Sequence, residues 1–149
     1  MHTSAAPALS HDALRARAIA VAENAYAPYS RFRVGAAILL ASPHAGTVIT
    51  GCNVENASFR LTTCAEQTAI AAAVAQFGPT VRLAAVAVAN LNHAASVPCG
   101  ACRQTLLEFS PDPTLVTVLF PGITASGKTV DQSCTLADLL PAAFRLSHE

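Results

Sequence analysis

Tryptophan is absent from this 149-residue sequence, aromatic residues make up only 5%, and charged residues only 12%. Nine acidic and nine basic side chains leave a formal net charge of zero. A disordered chain combines high charge with low hydrophobicity, so 52% hydrophobic residues and a mean hydropathy of +0.42 exclude that class. There is no cluster of lysines and arginines. The electrostatic footprint of a long nucleic-acid partner is therefore missing, as is a polybasic membrane patch. No apolar run approaches the roughly 18 to 20 residues of a membrane span. Residues 1–10 have neither a basic n-region nor an apolar h-region, so a soluble, cytoplasmic protein is expected.

What is present fits one domain over residues 1–149, with room for a sizeable core. A small, charge-poor chain has little polar surface, so it is expected to oligomerise. The five cysteines, Cys52, Cys64, Cys99, Cys102 and Cys134, are an odd number without a secretory signal. Metal binding or catalysis suits them better than a disulfide framework.

Along the chain, Leu14, Ala18, Ile19 and Ala22 recur at helical spacing over residues 10–25, with Ser10 placed as cap. Residues 33–41 and 47–52 read as a β-hairpin around Ser42, Pro43 and Gly46. An alanine-rich helix reaches Phe77 and stops at Gly78-Pro79. Residues 83–89 read as a buried strand, 101–109 as a helix, 115–120 as a strand, 121–128 as a loop, then a short strand and a last helix near 136–140. Strands alternating with helices imply an α/β layered sheet, which the opening hairpin makes mixed.

The chemistry concentrates at two predicted helix starts, Thr63-Cys64-Ala65-Glu66-Gln67 and Pro98-Cys99-Gly100-Ala101-Cys102-Arg103. Cys99 and Cys102 can aim both sulfurs at one point, as a tetrahedral zinc requires. Helix N-termini also favour thiolates. With Cys64 as third ligand, the fourth position of a catalytic zinc is left for water, and Glu66 lies within reach of it. Cys-Ala-Glu followed by Pro-Cys-Gly-Ala-Cys matches the zinc-deaminase signature.

Further blocks join that signature: Tyr26-Ala-Pro-Tyr-Ser-Arg-Phe-Arg-Val-Gly-Ala-Ala37, Gly51-Cys-Asn-Val-Glu-Asn-Ala-Ser58, Pro98-Cys-Gly-Ala-Cys-Arg-Gln104 and Leu139-Leu-Pro-Ala-Ala-Phe144. Together they resemble the small homotetrameric cytidine deaminases of nucleoside salvage, in family order from about residue 10 to 146. The resemblance implies a three-layer α/β/α sandwich with a mixed five-stranded sheet. It implies one zinc ion per subunit on Cys64, Cys99 and Cys102, with Glu66 as proton shuttle. It also implies that Asn53 and Glu55 bind the ribose, that Phe32 and Ala65 line the base pocket, and that Phe144 enters a neighbouring subunit's site. The substrates would be cytidine and 2′-deoxycytidine, and the products their uridine counterparts and ammonia, in pyrimidine salvage.

Each residue also has a plainer reading. Thr63 to Glu66 is equally a helix-capping box, Asn53 and Glu55 are ordinary turn residues, and Phe32 and Phe144 are core aromatics by default. Arg15, Arg17 and Glu23 read as a solvated helix face, and no histidine shows ligand spacing. Two competing functions remain: a deaminase of another cytosine-containing compound, of the blasticidin S type, and a non-catalytic zinc module closed by Cys52. One departure stands out. Many relatives carry an arginine after the catalytic glutamate, and here it is Gln67, so the thiolate charge must be offset by helix dipoles and by Arg103 or Arg60.

Overall fold

The computed structural model describes residues 9–146. Helix α1 (His11–Ala22) leads into strands β1 (Val34–Leu40) and β2 (Val48–Cys52), followed by α2 (Ala65–Phe77), β3 (Leu83–Asn90), α3 (Gly100–Glu108), β4 (Thr117–Ile123), β5 (Thr129–Thr135) and a one-turn α4 (Leu136–Leu139). The five strands form one mixed sheet in the order β2-β1-β3-β4-β5. β3 and β4 are parallel, and every other neighbouring pair is antiparallel.

Strand alternation sorts the core into two layers. Ala36, Ile38, Leu40, Val86, Val88 and Val118 face α2, α3 and α4, where Ala69, Ile70, Leu106, Leu107 and Leu136 are buried against them. The opposite face presents Ala37, Ala85, Ala87 and Leu119 to Leu14 and Ala18 of α1. That second face is built mostly of alanine, so α1 approaches closely. A Cβ at Gly35 would lie 2.0 Å from the carbonyl oxygen of Ala18. On the other face, a Cβ at Gly51 would stand 2.4 Å from the backbone nitrogen of Ala69. The three-layer arrangement and the mixed five-stranded sheet agree with the sequence reading.

Several details differ from it. Ser10 does cap α1, its hydroxyl accepting from the Ala13 N–H at 3.1 Å, but the helix ends at Ala22. Residues 121–123 are not loop, because β4 continues through Pro121 and Gly122 opposite Asp131 and Val130 of β5. Proline is tolerated there because β3 pairs only with Thr117 to Leu119, so the missing N–H forgoes no bond on that side. Nor are Arg15 and Glu23 a merely solvated face. Arg15 reaches Asp12 and the Gln132 carbonyl, each at 3.3 Å, and Glu23 pairs with Arg33 at 2.9 Å. His2 and His148 lie outside the described residues. Among the described residues no helix is long and apolar enough to cross a membrane.

Candidate active site and metal centre

Two connections deliver the site: β2 to α2, and β3 to α3. Cys64 is the N-cap of α2 and Cys99 the N-cap of α3, while Cys102 lies in the first turn of α3. The box expected from Thr63 to Glu66 does not form, since the helix begins one residue later and Cys64 makes no side-chain cap bond. Glu66 does not reach back to the Thr63 N–H, which donates instead to the Val54 carbonyl at 2.9 Å. The Glu66 side chain is buried at 4% exposure, and burial pushes its carboxyl above the ordinary range.

The ligand atoms of Cys64, Cys99 and Cys102 all lie within 4.8 Å of one another. Cys52 is not in that cluster, which removes the fourth sulfur that a closed module would need. The thiol of Cys102 hydrogen-bonds to Cys64, holding Cys64 down at about 7 and pushing Cys102 up. Three thiols at two helix N-termini suit a soft, tetrahedral metal such as zinc and leave one position open.

Beside the cluster is a cavity of about 360 Å³, lined by Phe32, Asn53, Glu55, Cys64, Ala65, Glu66, Cys99 and Cys102 among others. Eight of the nine residues expected at the site thus share one space. Phe144 does not. It is 65% exposed, so it is not a core aromatic, and its carbonyl accepts from the Gln104 side chain at 3.0 Å.

Asn53 and Glu55 are neither loose nor ordinary turn residues. The amide of Asn53 accepts from the Val34 N–H and donates to the Phe32 carbonyl, both at 2.8 Å, bracing the entry to β1. Glu55 accepts from the N–H groups of Tyr29 and Ser30 at 2.9 and 3.2 Å and from the Ser30 hydroxyl, which holds its carboxyl below the usual range. The segment between these residues and Cys64 is pinned by isolated bridges from Val54 to Tyr26 and to Thr63, which periodicity in the sequence does not reveal. Arg103 does not serve the sulfurs through its hydrogen bonds. Its guanidinium donates to the carbonyls of Pro98 at 2.7 Å and Leu139 at 2.9 Å.

A buried carboxyl against a three-sulfur metal site is the arrangement of the zinc-dependent deaminases, in which the glutamate moves protons and is not a ligand. Comparison with known proteins narrows the class. The family model for the cytidine and deoxycytidylate deaminase zinc-binding region matches residues 9–118. The chain is similar to the cytidine deaminase of Halalkalibacterium halodurans, at 42% identity over 85% of this chain and 88% of that one. It is 40% identical to the cytidine deaminase of Mycobacterium tuberculosis over 94% of this chain and 93% of that one. The crystal structure of cytidine deaminase from Burkholderia pseudomallei superposes with a TM-score of 0.75, at 43% identity over 91% of this chain and 99% of that one. This chain belongs to the cytidine and deoxycytidylate deaminase family, and it is a zinc-dependent enzyme.

Proposed function

We propose that the enzyme hydrolyses the exocyclic amine of cytidine and 2′-deoxycytidine, giving uridine or 2′-deoxyuridine and ammonia, a reaction that serves pyrimidine salvage. The observation that carries this reading is the burial of Glu66 in the same cavity as the three thiols. Bound on Cys64, Cys99 and Cys102, zinc would polarise a water molecule and bring its pKa toward neutrality. Glu66 accepts a proton from the attacking water and delivers it to N3 of the pyrimidine as the C4–O bond forms; it then takes the remaining proton of the new C4 hydroxyl and passes it to the amine as the C4–N bond breaks and ammonia leaves. A carboxyl buried in the same cavity as the three sulfurs is placed to hold that proton between steps. Phe32 and Ala65 contact the base, and Asn53 and Glu55 the sugar.

Charge favours the free nucleoside over its 5′-phosphate. Among the described residues, none of those lining the cavity is lysine, arginine or histidine, whereas Glu55 and Glu66 both are lining residues. Apart from the metal on the three sulfurs, a phosphate entering there meets carboxylates and no cationic side chain. Phe144 completes a neighbouring subunit's site in a homotetramer, a reading supported by its exposure and by the exposed Tyr29, Phe59 and Val97. Free thiols suit the reducing cytoplasm.

The test is the absorbance change of cytidine, 2′-deoxycytidine and deoxycytidylate on addition of zinc-loaded protein. Both nucleosides are deaminated and the nucleotide is spared. Turnover of deoxycytidylate at the nucleoside rate would overturn the nucleoside assignment, and inertness toward all three would overturn the function.

A further inference from the structure

The turn that precedes β1 does more than border the cavity. Its residue Ser30 sits between two partners: the Phe32 N–H donates to the Ser30 hydroxyl oxygen at 3.0 Å, and that hydroxyl donates to Glu55 Oε1. The first bond orients the second, because an oxygen receiving a proton from Phe32 directs its own proton elsewhere. Glu55 Oε2 is occupied by the Tyr29 and Ser30 N–H groups. An ionised carboxylate has acceptor sites only, so whatever capacity is left on Glu55 accepts donors and nothing else.

The turn itself is fixed. Arg31 has φ 58°, a left-handed conformation that a non-glycine residue adopts at a cost. Its N–H donates to the Ala27 carbonyl at 3.0 Å. Asn92 spans the next step, donating to the Arg31 carbonyl at 3.2 Å and accepting from the Arg33 N–H at 3.1 Å. A rigid turn thus presents one hydroxyl to one carboxylate, and Ser30 and Glu55 both line the cavity.

We infer that Ser30 is a positioning residue that sets sugar specificity, holding Glu55 so that a substrate is selected by a hydroxyl donor on its sugar. This rests on the reading of Glu55 as a sugar ligand. In that reading Ser30 acts through Glu55 and leaves the deamination chemistry at Glu66 alone.

The experiment compares KM and kcat for cytidine and 2′,3′-dideoxycytidine in the zinc-loaded wild type, Ser30→Ala, Ser30→Thr and Glu55→Gln. A hydrogen bond to a charged group is worth about tenfold in affinity, so Ser30→Ala raises KM for cytidine about tenfold while kcat changes far less. KM for the dideoxy analogue stays near the wild-type value, and Ser30→Thr, which keeps the hydroxyl, restores cytidine binding. Equal weakening of both substrates by Ser30→Ala, no weakening, or failure of Ser30→Thr to rescue would each overturn the inference. If Glu55→Gln abolishes the preference for cytidine but Ser30→Ala does not, Ser30 alone loses its role. If Glu55→Gln leaves the preference intact, the sugar-ligand reading of Glu55 falls and the role of Ser30 falls with it, while the deaminase function stands.

Discussion

Cys64 and Cys99 hold the same station in two different helices. Each is an N-cap with extended backbone, at φ −71° and ψ 155° for Cys64 and φ −66° and ψ 166° for Cys99. They differ in one respect: Cys99 Sγ also accepts from the Cys102 N–H, at 3.5 Å, whereas Cys64 makes no cap bond. Capping and metal ligation can therefore be separated at Cys99. Serine is a strong N-cap but a poor substitute for thiolate, so Cys99→Ser is expected to keep the metal-free melting temperature near wild type and to lose zinc in chelator competition. Cys99→Ala should lose zinc and also about 1 kcal/mol of metal-free stability. Equal metal-free melting of the two variants would show that the cap contributes nothing.

Glu66→Gln retains shape and one carbonyl oxygen but cannot shuttle a proton. Its kcat is expected to fall by roughly 10² to 10⁴, the range for a general acid–base group, with zinc content unchanged by metal analysis. Turnover within a few-fold of wild type would remove Glu66 from the mechanism.

A methyl group at position 51 has nowhere to go except into α2, since the nearest atoms are the backbone of Ala69 at 2.4 Å and the Ala65 carbonyl oxygen at 2.7 Å. Gly51→Ala must push away α2, the helix whose N-cap is Cys64. The expected cost is roughly 1 to 3 kcal/mol in denaturant unfolding, as for other overpacked sites, together with weaker zinc retention. Wild-type stability with wild-type zinc affinity would show that α2 can shift freely.

The acid side of the stability profile is expected to report on Asp138. It accepts from the Thr135 hydroxyl at 2.6 Å and the Thr135 N–H at 2.9 Å, and the hydroxyl above all holds its carboxyl below the usual aspartate range. A depressed folded pKa gives stability that is present above the unfolded value and is lost as pH falls through the folded one. Asp138→Asn should therefore be less stable than wild type near neutrality, and the gap should narrow below about pH 4, where aspartate ordinarily titrates. Urea titrations across that range check it; a gap that stays constant contradicts the linkage.

Donation of Phe144 between subunits is testable by complementation. Phe144→Ala should raise KM with zinc retained, losing on the order of 1 to 3 kcal/mol of stacking and burial. Co-expressed with Glu66→Ala, it should form hybrids in which some sites combine an intact Glu66 from one chain with an intact Phe144 from another. Those hybrids should regain tight-binding turnover that neither parent shows. Kinetics equal to the weighted average of the parents would place Phe144 in its own subunit.

The parts of this molecule that were legible in sequence are those governed by spacing. Cys99 and Cys102 share a helix turn, the continuous apolar run over 83–89 has the length of a buried strand, and Gly78-Pro79 stops α2. What periodicity could not register was contact between distant segments. The bridges from Val54 to Tyr26 and Thr63, the clamp of Asn53 on Phe32 and Val34, and the Ser30–Glu55 pair join residues whose separations carry no repeat. Local rules also competed. Thr63 is a good cap by type, yet the helix starts after Cys64. Pro121 and Gly122 read as the start of a loop, yet antiparallel pairing with β5 carries the strand through them to Ile123. The Thr135–Asp138 capping box was present in the letters but hidden by the shortness of α4.

The position of β3 gives the metal site a second consequence. Cys64 precedes this strand in the chain, Cys99 and Cys102 follow it, and β3 is the strand that joins the β1–β2 hairpin to the β4–β5 hairpin. A metal held by all three sulfurs would close residues 64–99 into a loop that contains α2 and β3, the middle strand of the sheet. Neither α2 nor α3 could then peel away without giving up sulfur ligands, so an ion that binds the folded form more tightly suppresses partial opening along with global unfolding. The loaded enzyme would resist proteases and exchange its β3 amides more slowly than the metal-free form.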